Sequence, residues 1–195
     1  MKFDYVNDNK LFLVVLGGRT KLSNIEIHDL RWVVGRNIED TFPQLRNEWF
    51  GDQKGLHMDS FIEIKFIDGY RILLQKETLN RNIISKSTLP SLKKKNLWFV
   101  NVGGYDPNQL NELHEFGLVV AESSVEAKRK ARQKFLIGSK YKHIDDIARL
   151  NKFELVDDCH SIINIHGWKV ELTLDPKKRS QKLIPDWYGF RRIVN

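Results

Sequence analysis

At 195 residues the chain is long enough for one domain or two small ones. Its 41% hydrophobic and 29% charged residues exclude wholesale disorder. A net charge of +7 allows an acidic partner such as nucleic acid without requiring one, and the single cysteine, Cys159, excludes an intrachain disulfide and a cysteine-based zinc site. One unpaired cysteine also fits a reducing compartment.

The first ten residues lack the apolar core of a signal peptide. No stretch approaches the roughly 18 apolar residues that span a bilayer. The sequence thus predicts a soluble, cytoplasmic protein with no membrane partner; its oligomeric state is not encoded in any motif.

In chain order, residues 11–16 form a continuous apolar run ended by Gly17-Gly18, which predicts a buried strand closed by a turn or bulge. Ile25 to His28 alternates like a strand, and residues 30–35 predict the next one. Asn37 has the character of a helix N-cap. Phe42, Leu45 and Trp49 then share one face of a helix over 38–50, although Pro43 requires a later start. Residues 61–67 and 70–75 predict a hairpin across Asp68-Gly69.

Residues 77–96 have no periodicity and read as a linker, with Pro90 and Lys93-Lys94-Lys95. The pattern then starts again. Aligning 11–61 with 97–147 at a constant offset gives 12 identities in 51 positions, among them Gly17/Gly103, Gly18/Gly104, Glu26/Glu112, His28/His114, His57/His143 and Asp59/Asp145. The match resumes at Ile67-Asp68-Gly69-Tyr70 against Ile165-His166-Gly167-Trp168, now with a 12-residue insertion in the second copy. Ser123 predicts an N-cap for a basic helix over 124–136. Residues 110–114 resemble a helical turn, unlike their strand-like counterpart in the first copy, and this conflict leaves the segment open.

The repeat predicts an α+β fold of two tandem β-β-α-β-β units related by a pseudo-twofold axis, each an antiparallel or mixed sheet with one main helix on a face. The expected organisation is a first lobe over 1–76, a linker over 77–96, a second lobe over 97–175 and a basic, aromatic tail over 176–195.

Packing explains why apolar positions recur, but not why polar ones do. Glu26, His28, His57 and Asp59 recur as Glu112, His114, His143 and Asp145, and these use four of the six histidines. Three readings compete. A Glu–His or His–Asp hydrogen bond would brace each lobe. The same groups would contact a ligand without any metal. Or His28, His57 and Asp59, with His114, His143 and Asp145, would hold a divalent transition metal such as zinc, manganese or iron, because two imidazoles and a carboxylate suit those ions. The spacing matches no metalloenzyme signature.

The basic residues Lys93, Lys94 and Lys95 and the tail residues Arg191 and Arg192, beside Trp187, Tyr188 and Phe190, raise nucleic acid as a partner. A solvated linker and a tail whose aromatics dock on the fold are the favoured account of them. Cys159 sits beside Asp157 and Asp158, which disfavour a thiolate. The leading functional reading is a non-enzymatic binding or interaction protein of unidentified ligand. A metal-dependent enzyme and a nucleic-acid-binding module are the alternatives.

Taken together, several of these marks resemble one family, the bacterial domain of unknown function 1543. They are Leu16-Gly17-Gly18-Arg19, Glu26-x-His28-Asp29 and His57-Met58-Asp59 in the first half. The second half adds Val102-Gly103-Gly104-Tyr105-Asp106-Pro107, Glu112-Leu113-His114, Val119-Val120-Ala121 and His143-Ile144-Asp145-Asp146. The resemblance covers roughly residues 11–175. It implies a bacterial protein of two related halves and carries over no functional residues, because the family's activity is not established. The chain departs from the family after Arg19, where Thr20-Lys21-Leu22-Ser23 replaces a Pro-Pro-Gly-like sequence.

Overall fold

The computed structural model describes residues 8–77, 94–137, 141–143 and 159–193. The first lobe runs β1 (Lys10–Gly18), β2 (Ile27–Gly35), a 3-10 turn (Glu39–Thr41), α1 (Phe42–Glu48), β3 (His57–Glu63), β4 (Phe66–Ile67) and β5 (Tyr70–Lys76). The second runs β6 (Asn96–Tyr105), β7 (Leu113–Ala121), α2 (Ser124–Lys134), β8 (Tyr141–His143), β9 (Cys159–Ile162), β10 (Asn164–Ile165) and β11 (Trp168–Leu174). The last strand, β12 (Trp187–Arg192), returns to the first lobe. The fold is α+β, a tandem duplication in which β3 of the first unit corresponds to β8 and β9 of the second and the other strands correspond one to one.

Three antiparallel sheets result. One has the order β12-β3-β1-β2, its counterpart is built from β7-β6-β8 with β9 also on β6, and between them lies β10-β11-β5-β4. The middle sheet joins the lobes. Its central register sets Leu73 opposite Glu171, the residues that occupy the same position in the two copies. The pseudo-twofold axis therefore passes between β5 and β11.

The apolar runs of β1 and β6 follow from burial on both faces, which removes the need for polar alternation. Phe12, Val14 and Leu16 pack under α1 with Leu45, Trp49 and Met58. Leu11 and Leu13 point the other way, into a core shared with Leu97, Phe99, Leu118 and Val120 of the second lobe. Val100, Val102 and Val119 pack under α2 with Ala127 and Ala131.

The two hairpin turns cross to the opposite lobe. Each has two residues at positive φ, Asp68 (50°) with Gly69 (82°) and His166 (48°) with Gly167 (80°), the conformation of a tight hairpin turn. Asp68 forms an ion pair with Lys134 at the end of α2 and accepts from Val120 N at 2.9 Å. His166 pairs with Glu48 at the end of α1. Lys134 and Glu48 are equivalent positions in the two copies, as are Asp68 and His166. The same clasp is therefore made twice with its charges reversed.

Several elements differ from the sequence reading. Gly17-Gly18 do not form a turn after β1; they are its last two residues, paired with His28 and Ile27. The strand expected over 61–67 is split, because β3 stays in the first sheet while β4 enters the middle one. Pro43 falls in the first turn of α1, since it has no N–H to give and its ring would clash with the preceding turn. Asn37 Oδ1 accepts from Asp40 N at 3.0 Å at the start of the 3-10 turn. Ser123 Oγ caps α2 by accepting from Glu126 N. Residues 113–114 are strand, so the segment left open takes the same form in both lobes.

Candidate functional site

The repeated glycine and histidines form one cross-strand row. His28 on β2 and His57 on β3 both lie opposite Gly17 on the central strand β1. Directly opposed residues share a face, so the two imidazoles flank a residue with no side chain. That space is required. A Cβ on Gly17 would stand 2.5 Å from His57 Nε2 and 2.9 Å from Asp59 Oδ2. The second lobe repeats the row at backbone level, with His114 and His143 both opposite Gly103.

Asp59 is positioned by an irregularity on both sides of β3. Against β1, Val15 pairs with Ser60 and Leu16 with Met58, so Asp59 is skipped. Against β12, Tyr188 pairs with Ser60 and Arg191 with Met58, so Asp59 is skipped again, opposite Gly189 and Phe190. A bulge redirects a side chain at the cost of ladder pairing. Here it keeps Asp59 beside His57. Gly189 takes φ 145°, open to glycine, and the Phe190 ring lies 4.1 Å from that of His57.

Four side chains of the first lobe thus converge. His57 Nε2 is 3.1 Å from Asp59 Oδ1 and 3.3 Å from Glu26 Oε1. His28 Nε2 is 3.2 Å from Asp59 Oδ2 and 3.7 Å from Glu26 Oε2. His57 Nδ1 donates to the Gly55 carbonyl at 2.8 Å, which fixes the ring and turns Nε2 into the cluster. Between described residues this is the one directed hydrogen bond that either ring makes; the nitrogen–carboxylate approaches are close but not aligned. The His57 side chain is 3% exposed, whereas His28 is 51%, Glu26 42% and Asp59 31%. The cluster therefore has a buried floor and an open mouth. Among the described residues, no group of three or more His, Cys, Asp or Glu is placed to hold a metal ion.

In the second lobe His114 Nε2 faces Glu112 Oε2 at 3.5 Å, and the Asn101 amide donates to His114 Nδ1 at 3.1 Å. Val15 occupies the equivalent of Asn101 in the first lobe, so the two rows differ in what orients the β-strand histidine. Asp145 and the side chain of His143 lie outside the described residues. The remaining histidines serve packing and the clasp, His160 against Trp32 and Phe99, and His166 against Glu48.

The basic residues are dispersed. Lys93 lies outside the described residues and Lys94 is exposed. Lys95 sits 5.4 Å from the centre of the Tyr70 ring. Arg191 is engaged internally, 2.7 Å from Glu39 and over the Phe42 ring, and its guanidinium holds the Glu39 carboxyl below its ordinary range. Arg192 is exposed and joins the cross-strand row opposite His57. Cys159 is buried beneath α2, away from solvent.

Phe190, the Gly55 carbonyl and the space at Gly17 are the members of the site that sequence reasoning did not identify. Gly17 had a signal: it recurs in both copies together with the histidines. Phe190 stood out only as one of the tail aromatics, with nothing to link it to the histidines, because β12 belongs to neither copy.

Comparison with known proteins agrees with the duplication. The family model of a domain of unknown function, DUF1543, matches twice, at residues 23–74 and 109–159. The crystal structure of protein Il1583 from Idiomarina loihiensis is similar at 35% identity, with a TM-score of 0.67, over 96% of this chain and 99% of that one. No curated protein matches. No helix among the described residues is long and apolar enough to cross a membrane. Neither a metal-dependent activity nor nucleic-acid binding is assigned by any of these likenesses, and the function of the chain is not established. With both halves matched, the chain belongs to the DUF1543 family and carries its domain twice.

Proposed function

We propose that the protein is a soluble, cytoplasmic, non-enzymatic binding protein and that the first-lobe cluster of Glu26, His28, His57 and Asp59 is its ligand site. One observation carries this reading: three of the four groups are a third to a half exposed around a buried, backbone-anchored His57. A brace is best made from buried, mutually hydrogen-bonded partners. This set is open and its members are not aligned on one another. The single cysteine supports the reducing compartment.

The experiment is His28→Ala in the full chain, with histidine ring nitrogens followed by NMR. As a ligand contact, half-exposed His28 is replaced at a cost within about 0.5 kcal/mol. As a brace, its loss costs about 1–3 kcal/mol through the stranded carboxylates. A set of small amines, carboxylates and phosphates is then titrated into the wild-type chain. The reading requires that His28 and His57 shift while His160 and His166 do not.

A further inference from the structure

We infer that the first-lobe site takes an organic cation, a primary ammonium or guanidinium group, between Glu26 and Asp59 with Phe190 as its aromatic wall. The inference rests on the ligand-site reading above and adds the chemistry of the ligand.

His57 Nδ1 spends its proton on the Gly55 carbonyl, so the neutral ring presents a bare lone pair at Nε2. The two carboxylates are acceptors only. In that tautomer acceptors face acceptors around His57 Nε2, at 3.1 and 3.3 Å, without a directed hydrogen bond between them. Such a set is completed by a donor-rich cation. An oxygen of each carboxylate lies within 3.3 Å of one nitrogen, so both border the same space, where an ammonium finds two charged acceptors.

The opposite wall of the site is aromatic. Phe190 is 68% exposed although its ring leans on the buried His57. The chain bulges β12 opposite Asp59, with a glycine at positive φ, to place that ring there. An aromatic face beside carboxylates adds attraction for an organic cation, and gives a coordinated metal ion nothing. The same chain stacks Arg179 over Phe66 at 3.7 Å and Arg191 over Phe42 at 5.0 Å.

The test is calorimetric titration of the full chain with four probes: n-butylammonium, N-acetyl-arginine methylamide, a lysine-containing hexapeptide capped at both ends, and Zn²⁺ alone. Binding of an ammonium or guanidinium probe is expected, weakened about tenfold or more by Glu26→Gln and by Asp59→Asn, and about threefold by Phe190→Leu. Circular dichroism melts confirm that each variant folds. Tighter binding of the peptide than of the free amine assigns the cation to a partner chain, and the reverse assigns it to a small molecule; both support the proposal. Stoichiometric Zn²⁺ binding that the amines do not displace, with ring shifts at His28 and His57, overturns the organic cation while leaving the ligand site intact. No saturable binding of any probe up to millimolar concentration overturns the organic cation. Amine binding that survives both carboxylate variants overturns it as well, and if the histidine rings stay silent to every compound tested the ligand site falls with it.

Discussion

The two lobes share one backbone plan, and the difference that bears on the site is at the third strand. In the first lobe β3 runs unbroken from His57 to Glu63, with Asp59 skipped by both neighbouring strands. In the second lobe the equivalent strand is two pieces, β8 and β9, both paired to β6, and the insertion falls between them. The break falls where the first lobe has its bulge. The first lobe then gains β12 along β3, which brings Phe190 to His57, whereas β6 has β8 and β9 on that side. The lesson is that a bulge is the tolerant point of this sheet. Its ladder bonds are already forfeited there, so one copy uses it to aim a carboxylate and the other accommodates extra chain.

The strongest test of the comparison concerns what the lobes share. Leu11 is 2% exposed and lies in the core common to both. Leu11→Ala is expected to cost about 2–5 kcal/mol and to shift a single cooperative melt, with Trp49 and Trp98 reporting the same midpoint. Two separate transitions would mean that the lobes are independent units.

Next come two glycines that serve different purposes. A Cβ at Gly117 would meet the Phe135 ring at 2.0 Å, and a Cβ at Gly17 would meet His57 at 2.5 Å. Each change to alanine is expected to cost about 1–3 kcal/mol by overpacking. Only Gly17→Ala should move the His57 ring resonances. If Gly117→Ala moves them equally, the row is not a local device.

A smaller effect is expected from the clasps. Lys134→Ala and His166→Asn each remove a partly exposed pair, worth about 0.2–1 kcal/mol. The two should differ in pH response, since the Glu48 pair is ionic only when His166 is protonated and the Asp68–Lys134 pair is ionic throughout the neutral range. Equal loss from both at pH 9, read by chemical denaturation, would contradict the charge reversal.

The last prediction lies at the end of β11. Arg179 grips Asp175 through Nε and Nη2, each at 2.9 Å, and holds its carboxyl far below the ordinary value of 3.8. The folded value is the lower one. Stability from this pair is therefore complete above the unfolded value and drains away as pH falls below it. Asp175→Asn should flatten the acid limb of the stability profile and leave the slope above pH 5 unchanged.

Much of this was legible in the chain. The repeated Leu-x-x-Val-x-x-Gly-Gly run fixed where the central strands lie, Asp68-Gly69 and His166-Gly167 marked the turns, and Ser123 marked the start of α2. Recurrence of Glu26, His28, His57 and Asp59 marked the polar set, because packing alone does not preserve such residues. These features are local: they depend on periodicity, turn geometry and capping, which neighbours in sequence decide. What the sequence left open is non-local. Whether Gly17 ends a strand or leaves space for two imidazoles depends on which strands lie beside it. Whether β5 pairs with β11 depends on burial across the dyad. That Phe190 roofs His57 depends on a strand more than a hundred residues away finding the free edge of β3. Contacts of that kind are chosen by burial and edge pairing in three dimensions, so only the tertiary structure turned a repeated set of residues into one open cluster with a floor, a mouth and an aromatic wall.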